Sequence, residues 1–332
     1  MPEPADSQRE ESGSPANEPL EAGSAAGAFA PSLISLDRFL DTAPSLAQRL
    51  RGLRRAAASG SPILILGPPG SGRSTLARAL HEASPRRHGA LVEVDPGVVP
   101  SQLFDAELFG YRAGAFTGAE RSSPGRVGRA EGGTLLLDHV EELPLAAQAK
   151  LLRLVAERRY SPLGGAERAA DVRFIAVAGD DLEQRVAAGA FRADLFYRLE
   201  VLAYRLPALS QRREDLPLLL EAVLGDLSER FQRSLELADE ARRWILEHSW
   251  PGNLRQLRNL LERELVLRPE GPLSPQPPAG SAAQRPESLE ELERRHIQRT
   301  LAYTRGHQGR AAELLGISRK ALWEKRRRYG LP

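Results

Sequence analysis

A glycine-rich segment directly after a short apolar run places the strongest constraint on this chain. Residues 63–66 read Ile-Leu-Ile-Leu, which suits a buried strand, and helical periodicity resumes after residue 73. The nine residues that connect the two are Gly67, Pro68, Pro69, Gly70, Ser71, Gly72, Arg73, Ser74 and Thr75. In a P-loop of this spacing, backbone N–H groups and the helix N-terminus surround phosphates while the Ser or Thr hydroxyl binds magnesium. The segment therefore predicts a nucleotide-phosphate site.

One position in this loop departs from the P-loop pattern. The lysine of the pattern is replaced by Arg73, and a Gly/Pro turn followed by a basic residue also arises by chance in a chain with 29 glycines and 25 prolines. The strand before the loop and the helix after it favour the phosphate site. In that interpretation Ser74 is a magnesium ligand.

Composition limits the classes of protein that this chain can belong to. Apolar residues make up 41% and charged residues 27%, which is ordinary for a globular protein of two or three domains. The absence of cysteine excludes disulfides and thiolate zinc sites. No apolar run approaches the roughly 20 residues that span a bilayer. We expect a cytoplasmic protein without a membrane partner.

A second apolar run ends in an acid. Thr134-Leu135-Leu136-Leu137 predicts a buried strand, and Asp138 follows it. A carboxylate at a strand end beside a phosphate site is typical of a magnesium-binding group, although Asp138 could also simply cap the strand. Glu141 and Glu142 follow, but they lie two and three residues beyond the position directly after Asp138.

The C-terminal region is basic although the chain as a whole carries only +2. From Pro286 onward there are eleven Arg and Lys residues against six Glu, whereas residues 1–22 carry six acids against Arg9. A capping box from Ser288 to Glu291 predicts the start of a helix there. Its predicted inner face comprises Leu289, Leu292, Ile297 and Leu301.

Residues 310–323 predict a helix, a tight turn at Gly316 and a second helix capped by Ser318. A basic second helix suits docking in a DNA major groove, although a solvated helix face is the alternative. The predicted DNA-binding residues are Ser318, Arg319, Lys320, Trp323, Lys325, Arg326 and Arg327.

The segment Glu107-Leu108-Phe109-Gly110-Tyr111, followed by Gly114, Ala115, Phe116, Thr117, Gly118 and Ala119, resembles the hallmark loop of sigma-54-dependent transcriptional activators. These are AAA+ ATPases that remodel RNA polymerase carrying sigma-54. Matching segments continue along the chain, with Phe191–Leu199 and Trp250–Leu257 among them, and the C-terminal helix pair resembles a Fis-type helix-turn-helix. The resemblance covers about residues 33–331.

The resemblance implies an α/β fold: an AAA+ P-loop domain with a parallel sheet, a small helical lid and an all-α C-terminal helix-turn-helix domain. Its expected boundaries are a disordered tail at 1–31, the ATP-binding core at 32–205, the lid at 206–268, a linker at 269–286 and the DNA-binding domain at 287–332.

The resemblance also implies which ligands the protein binds and which residues contact them. ATP and Mg²⁺ are the expected ligands, with Arg255 contacting nucleotide and with Arg192 and Arg198 reaching the phosphate of an adjacent protomer in a homo-oligomeric, hexameric ring. The loop Gly114–Ala119 is expected to contact sigma-54 on RNA polymerase, and the C-terminal domain to bind upstream activator DNA.

Four positions of the hydrolytic centre depart from the family. Arg73 replaces the lysine, Asp95 an asparagine that acts as a switch, His139 the glutamate that orients the attacking water, and Gly179 the asparagine of sensor I. His139 therefore stands at a catalytic position with a different side chain. Two functions stay open: a sigma-54 regulator that hydrolyses ATP, and a degenerate AAA+ DNA-binding regulator, or subunit of a mixed ring, that does not.

Overall fold

The computed structural model describes residues 35–268, 270–277, 289–304 and 307–330. The predicted tail at 1–31, the capping box at Ser288 and part of the predicted linker lie outside these residues. The described chain divides into two compact units, one formed by residues 35–66 and 72–205 and the other by residues 67–71 and those from 206 onward.

The first unit contains a five-stranded parallel sheet. Its strands are β1 (Ile63–Leu66), β2 (Leu91–Val94), β3 (Thr134–Leu137), β6 (Arg173–Ala178) and β7 (Leu202–Arg205), in the spatial order β2-β3-β6-β1-β7. A separate antiparallel pair joins β4 (Arg159–Tyr160) to β5 (Arg168–Ala169). The predicted strands at 63–66 and 134–137 are confirmed, and both are buried along their whole length.

The helices of this unit are α1 (Leu36–Asp41), α2 (Pro44–Arg49), α3 (Leu53–Ala58), α4 (Arg73–Glu82), α5 (Ser101–Phe109), α6 (Gly125–Arg129), α7 (Leu145–Glu157), α8 (Leu182–Ala187) and α9 (Ala193–Leu199). Leucines, phenylalanines and alanines of the sheet pack against α5, α7 and α9 to form one continuous apolar core. A buried arginine, Arg173 on β6, donates to the carbonyls of Leu80 (3.2 Å) and Ala56 (3.1 Å). Burial lowers the pKa of Arg173 to about 10.

The second unit is helical apart from short turns. It contains α10 (Leu216–Phe231), α11 (Asp239–Glu247) and α12 (Asn253–Leu267), followed by α13 (Leu289–Tyr303), α14 (Gln308–Leu314) and α15 (Arg319–Arg328). Ile297 and Leu301 of α13 pack with Ala311, Ala312 and Leu322 in a small apolar cluster.

The predicted inner face of α13 is wrong at one position. Leu292 is 49% exposed, whereas Ile297 and Leu301 are 2% and 9% exposed. Residues five apart on an α-helix point about 140° from each other, so Leu292 cannot share the buried face with Ile297. The side chain of Leu289 is outside the described residues.

Among the described residues, no helix combines the length and the apolar character needed to cross a membrane.

Candidate functional site

The parallel sheet gathers several predicted residues at one edge, because the carboxyl ends of parallel strands lie together. Asp95 follows β2, Asp138 follows β3 and Gly179 follows β6, and these three strands are neighbours. Arg73 and Ser74 begin α4. We call this group the strand-end cluster; its members are Arg73, Ser74, Asp95, Asp138, His139, Glu141 and Gly179.

The two predicted magnesium ligands are in direct contact. The Ser74 hydroxyl donates to Asp138 Oδ2 at 2.7 Å. Hydroxyl and carboxylate oxygens are ligands that suit Mg²⁺, which usually takes its remaining ligands from water and substrate phosphates. Among the described residues there is no group of three or more His, Cys, Asp or Glu side chains that could hold a metal ion.

Arg73 is directed toward the end of β6. Its side chain is buried, with 5% exposure, and its guanidinium donates to the Ala178 carbonyl. The planar guanidinium is larger than an ammonium and binds in a fixed direction. The sequence located Arg73 at the phosphate-loop position, but it gave no sign of this bond to a residue 105 positions away.

His139 and Asp95 are paired. His139 Nδ1 lies 3.1 Å from Asp95 Oδ2, and the second oxygen of Asp95 accepts from the Gly97 N–H at 2.9 Å. His139 has a left-handed backbone, with φ 51° and ψ 47°, and its own N–H donates to Asp138 Oδ1 at 3.1 Å. Histidine is one of the few residue types enriched in this conformation.

Glu141 is the residue of this site that sequence reasoning passed over. It is 9% exposed, and its Oε1 accepts from the Gly179 N–H at 2.9 Å. A Cβ added to Gly179 would lie 3.3 Å from that oxygen and 2.5 Å from Asp181 Oδ1. Two carboxylates therefore occupy the space that a side chain at residue 179 would need.

Neighbouring arginines balance these carboxylates. Arg185 donates to Asp181 at 2.8 Å. That hydrogen bond lowers the pKa of Asp181, and the charges of Arg185 and Arg73 lower the pKa further. Asp181 therefore stays ionised beside Gly179, which no sequence motif indicated.

The first five residues of the glycine loop belong to the second unit. There the Arg212 guanidinium donates to the Ser71 carbonyl at 2.6 Å, and the Asn253 amide donates to the Pro69 carbonyl at 2.9 Å. Gly70 has φ +75°, and a Cβ there would lie 2.5 Å from the Gly252 carbonyl and 2.9 Å from Arg255 Cβ. Only glycine fits, so the predicted contact residue Arg255 lies directly against the loop.

One polar atom of this loop is buried without a partner among the described residues. The Ser71 hydroxyl has no hydrogen bond although Ser71 is only 1% exposed. Buried hydroxyls are nearly always bonded, so the loop has spare capacity for an anionic ligand. Gly67, Gly70 and Gly72 all have positive φ values, which lets the loop curve as a phosphate site requires.

The two predicted trans-acting arginines lie at α9 and are exposed. Arg192 precedes the helix, and its guanidinium binds Asp194 through two hydrogen bonds of 3.0 and 2.8 Å. This pairing lowers the pKa of Asp194. Arg198 makes no salt bridge within the described part of the chain.

The loop Gly114–Ala119 is held by backbone hydrogen bonds. Gly114 N–H donates to the Ala119 carbonyl at 2.8 Å, and Ala119 N–H donates to the Phe116 carbonyl at 3.0 Å. Phe116 is 42% exposed and meets the Tyr111 ring edge-on at 5.0 Å. The loop thus presents an aromatic side chain to solvent on a defined backbone, with Gly114 and Gly118 at positive φ.

The C-terminal helices have the predicted turn. Gly316 has φ +66°, and the Ser318 hydroxyl caps α15 by accepting from the Ala321 N–H at 3.1 Å. Lys320 is exposed, and Trp323 is 54% exposed with the Arg327 guanidinium 5.6 Å from its ring. Lys325 instead donates to Glu293 of α13 at 2.5 Å. The exposed residues predicted to bind DNA are Ser318, Arg319, Lys320, Trp323 and Arg327, while Lys325 and Arg326 are half-buried.

Comparison with known families decides the classification. A family model of the Sigma-54 interaction domain matches residues 39–205. The chain belongs to the sigma-54 interaction domain family. Two further family models match later parts of the chain. The AAA+ ATPase lid domain matches residues 210–293, and the Fis family of bacterial regulatory proteins matches residues 288–329. The predicted fold class is confirmed.

Relatives of this family member include bacterial regulators. The alginate biosynthesis transcriptional regulatory protein AlgB of Pseudomonas syringae pv. tomato is 39% identical over 302 residues, or 87% of this chain and 66% of AlgB. The regulatory protein AtoC of Escherichia coli K12 is 38% identical over 312 residues, covering 88% of this chain and 68% of AtoC. The chain thus spans about two thirds of the length of these relatives.

Solved structures of NtrX from Brucella abortus are similar to this chain. One has a TM-score of 0.67 at 32% identity and covers 89% of this chain and 72% of NtrX. A second, of NtrX in complex with ATP, has a TM-score of 0.65 at 32% identity, with coverages of 90% and 69%.

Proposed function

We propose that this protein is a DNA-bound transcriptional regulator that binds ATP and contacts sigma-54 RNA polymerase through the loop Gly114–Ala119. The observation that carries the proposal is the exposed Phe116 on a loop with a defined backbone, within the 39–205 segment that matches the Sigma-54 interaction domain. Aromatic side chains are enriched in protein interfaces because they bury a large area with few rotatable bonds. Phe116 is therefore the proposed anchor for sigma-54.

ATP binding is supported by the glycine loop and by the Ser74–Asp138 pair. The phosphates would lie against the N–H groups at the start of α4, with Mg²⁺ held by Ser74 directly and by Asp138 through water. ATP bound there would supply the phosphoryl group whose transfer to water releases energy. The ATP complex of the similar NtrX chain supports the choice of nucleotide.

The exposed arginines at α9 support assembly into a ring, which we propose to be a homohexamer. Arg192 would exchange its bond to Asp194 for the phosphate of an adjacent protomer, and Arg198 is already exposed. Arginines that act across a subunit boundary stabilise charge in the transition state of phosphoryl transfer. An isolated protomer would then turn over little ATP.

The exposed basic face of α15 supports binding to upstream DNA. Lys320 and Arg327 would contact phosphates, while Trp323 would supply apolar contact at base edges. Lys325 is committed to Glu293 in the free protein, so its contribution would be mainly to hold α15 against α13.

A second candidate function is a degenerate regulator that binds DNA and nucleotide but hydrolyses little. The observation that favours it is the bond from Arg73 to the Ala178 carbonyl, because a phosphate-loop lysine normally reaches the β- and γ-phosphates. Steady-state turnover by the assembled wild-type protein separates the two candidates.

Loss of sigma-54 contact on loop mutation tests the main proposal. We expect Phe116→Ala to abolish capture of purified sigma-54 by the ATP-loaded protein. Leu218→Ala is the matched control, since Leu218 is a comparably exposed apolar residue (46%) on α10. Equal capture by wild type and Phe116→Ala would refute the proposal, and unchanged melting temperatures would exclude misfolding.

A further inference from the structure

Phe116, the proposed anchor for sigma-54, lies on a sparsely packed part of its loop. A Cβ added at Gly114 or at Gly118, on either side of Phe116, would have no atom within 4 Å in the described structure apart from its chain neighbours. Phe116 also lies outside the apolar core of its unit. The residue is nevertheless only 42% exposed, so another side chain covers part of its surface.

Tyr111 supplies that cover. The two rings meet edge-on, with centroids 5.0 Å apart and planes inclined at 62°, which is one of the preferred arrangements of an aromatic pair. Five residues of extended chain span about 16 Å, so the contact exists only because the loop turns back on itself. The hydrogen bond from the Gly114 N–H to the Ala119 carbonyl closes this turn.

The backbone of Tyr111 is fixed from two sides, because two other segments pair with it. Its N–H donates to the Ser123 carbonyl at 2.9 Å, and its carbonyl accepts from the Ser123 N–H at 2.8 Å. On the other side, the Leu163 N–H donates to the Gly110 carbonyl at 2.9 Å, and the Arg112 N–H donates to the Leu163 carbonyl at 3.0 Å. Tyr111 is therefore the middle residue of three paired segments at the base of the loop.

Two glycines allow this base to close. Gly110 has φ +79°, and a Cβ there would lie 2.3 Å from the Ser123 carbonyl oxygen. Gly125 has φ +67°, and a Cβ there would lie 2.2 Å from the Gly110 nitrogen. A side chain at either position would push the backbones apart. The base that carries Tyr111 is thus closely packed, in contrast to the open surroundings of the loop's outer glycines.

The contact uses the ring of Tyr111 and not its hydroxyl. The hydroxyl makes no hydrogen bond within the described part of the chain, and the residue is half-buried. A phenylalanine at this position would present the same aromatic surface. The pairing therefore predicts that phenylalanine, but not alanine, can replace Tyr111.

We infer that Tyr111 is a positioning residue for the sigma-54 contact: its ring, fixed at the base of the loop, holds Phe116 in the orientation that the partner buries. This inference rests on the proposed function. Binding costs less when an anchoring side chain is already ordered, because less rotational freedom is lost on association. Without the Tyr111 ring, sigma-54 itself would have to order Phe116.

The pair can be observed without sigma-54 or nucleotide. In the full chain labelled with ¹³C in phenylalanine rings, the Phe116 signals are assigned among the nine phenylalanines by their absence in Phe116→Leu. The neighbouring ring should shift these signals in wild type and in Tyr111→Phe. Tyr111→Ala should move them to the positions of a solvent-exposed phenylalanine. Unchanged Phe116 signals in Tyr111→Ala would overturn the inference.

Titration of purified sigma-54 into the ATP-loaded protein measures the consequence for binding. We expect Tyr111→Ala to raise the Kd by about two- to tenfold, since an aromatic pair contributes about that much beyond its buried area. Tyr111→Phe should keep the wild-type Kd. Tyr303→Ala, which removes an 82% exposed tyrosine from α13, is the matched control and should also keep it.

A double-mutant cycle separates positioning from a direct contact between Tyr111 and sigma-54. Phe116→Leu keeps an apolar anchor but leaves no ring to be positioned. In that background Tyr111→Ala should change the Kd little, because the two residues act as one unit. An equal rise in Kd in both backgrounds would show that Tyr111 acts independently of Phe116 and would overturn the positioning role.

The outcomes distinguish this inference from the proposed function. Failure of wild type to capture sigma-54 would overturn the proposed function and the role of Tyr111 together. Capture that is lost in Phe116→Ala but unchanged in Tyr111→Ala would overturn the role of Tyr111 alone. Binding by Tyr111→Phe as weak as that by Tyr111→Ala would do the same. Melting temperatures close to wild type are expected for both variants, because backbone groups make the bonds that hold residue 111.

Discussion

In the loop Gly114–Ala119, backbone hydrogen bonds between residues three to five apart fix the shape. In the strand-end cluster, side-chain hydrogen bonds join residues 38 to 105 positions apart. By the sequence resemblance, the loop keeps the residue types expected of the family, whereas four residues of the cluster depart from them. The shape of the loop therefore rests on short-range backbone bonds, whereas the cluster depends on side-chain pairs between distant parts of the chain.

The largest difference between the two regions should appear when a family residue is restored to the cluster. Gly179→Asn would push a Cβ to 2.5 Å from Asp181 Oδ1 and 3.3 Å from Glu141 Oε1. We expect a loss of stability toward the low end of the about 1–3 kcal/mol typical of overpacking, since Asp181 Oδ1 ends a half-exposed side chain that can move. Urea unfolding of the full chain measures it.

A second substitution makes that prediction sharper. Glu141→Ala removes one of the two obstructing carboxylates, so the double variant should lose less stability than the sum of the single variants. The single Glu141→Ala should itself cost about 1–3 kcal/mol because the Gly179 N–H loses its acceptor. Strictly additive losses would show that Glu141 and residue 179 do not compete for space.

The sequence could predict the fold and the loop because their signals are local. The apolar runs at 63–66 and 134–137 and the turn at Gly316 each appear within a few residues, and the structure has them at the expected places. Apolar periodicity misjudged Leu292, since the five-residue spacing from Leu292 to Ile297 places the two side chains on different faces of the helix.

Sequence reasoning could name the members of the cluster but not their bonds. The sequence places Arg73 in the phosphate loop, and the structure adds a bond from its guanidinium to the Ala178 carbonyl. No sequence pattern assigns Glu141 a role, yet it is buried and bonded to Gly179. Both facts depend on which strand ends become neighbours in the sheet, and no local pattern encodes that.

A smaller effect is expected in the loop, where backbone strain is the only cost. Gly118 has φ +94° with no atom within 4 Å of an added Cβ, so Gly118→Ala should cost about 1–2 kcal/mol or less. Gly189, at φ +74° in equally open space, is the matched control. We expect similar shifts in melting temperature but weakened capture of sigma-54 only for Gly118→Ala. Equal capture by both variants would contradict a role for the loop's shape.

Within the single helix α15, an exposed lysine and a paired lysine should behave differently. Lys320 is exposed, while Lys325 donates to Glu293, which also accepts from the Tyr329 hydroxyl at 2.6 Å. Lys320→Ala should therefore weaken DNA binding on all sequences and reduce the slope of log affinity against log salt by about 1. Fluorescence anisotropy over a salt series measures this slope.

Lys325→Ala should change that slope less and instead loosen α15 from α13. The hydrogen bonds from Lys325 and Tyr329 lower the pKa of Glu293 below its ordinary value. Because the folded pKa is the lower one, the pair stabilises the fold at neutral pH, and this contribution disappears as the pH falls through the lowered pKa. The stability difference between wild type and Lys325→Ala should therefore be present at pH 7 and vanish in acid. A difference that persists unchanged in acid, or a full unit of salt slope lost in Lys325→Ala, would show that Lys325 binds DNA rather than holding the helix.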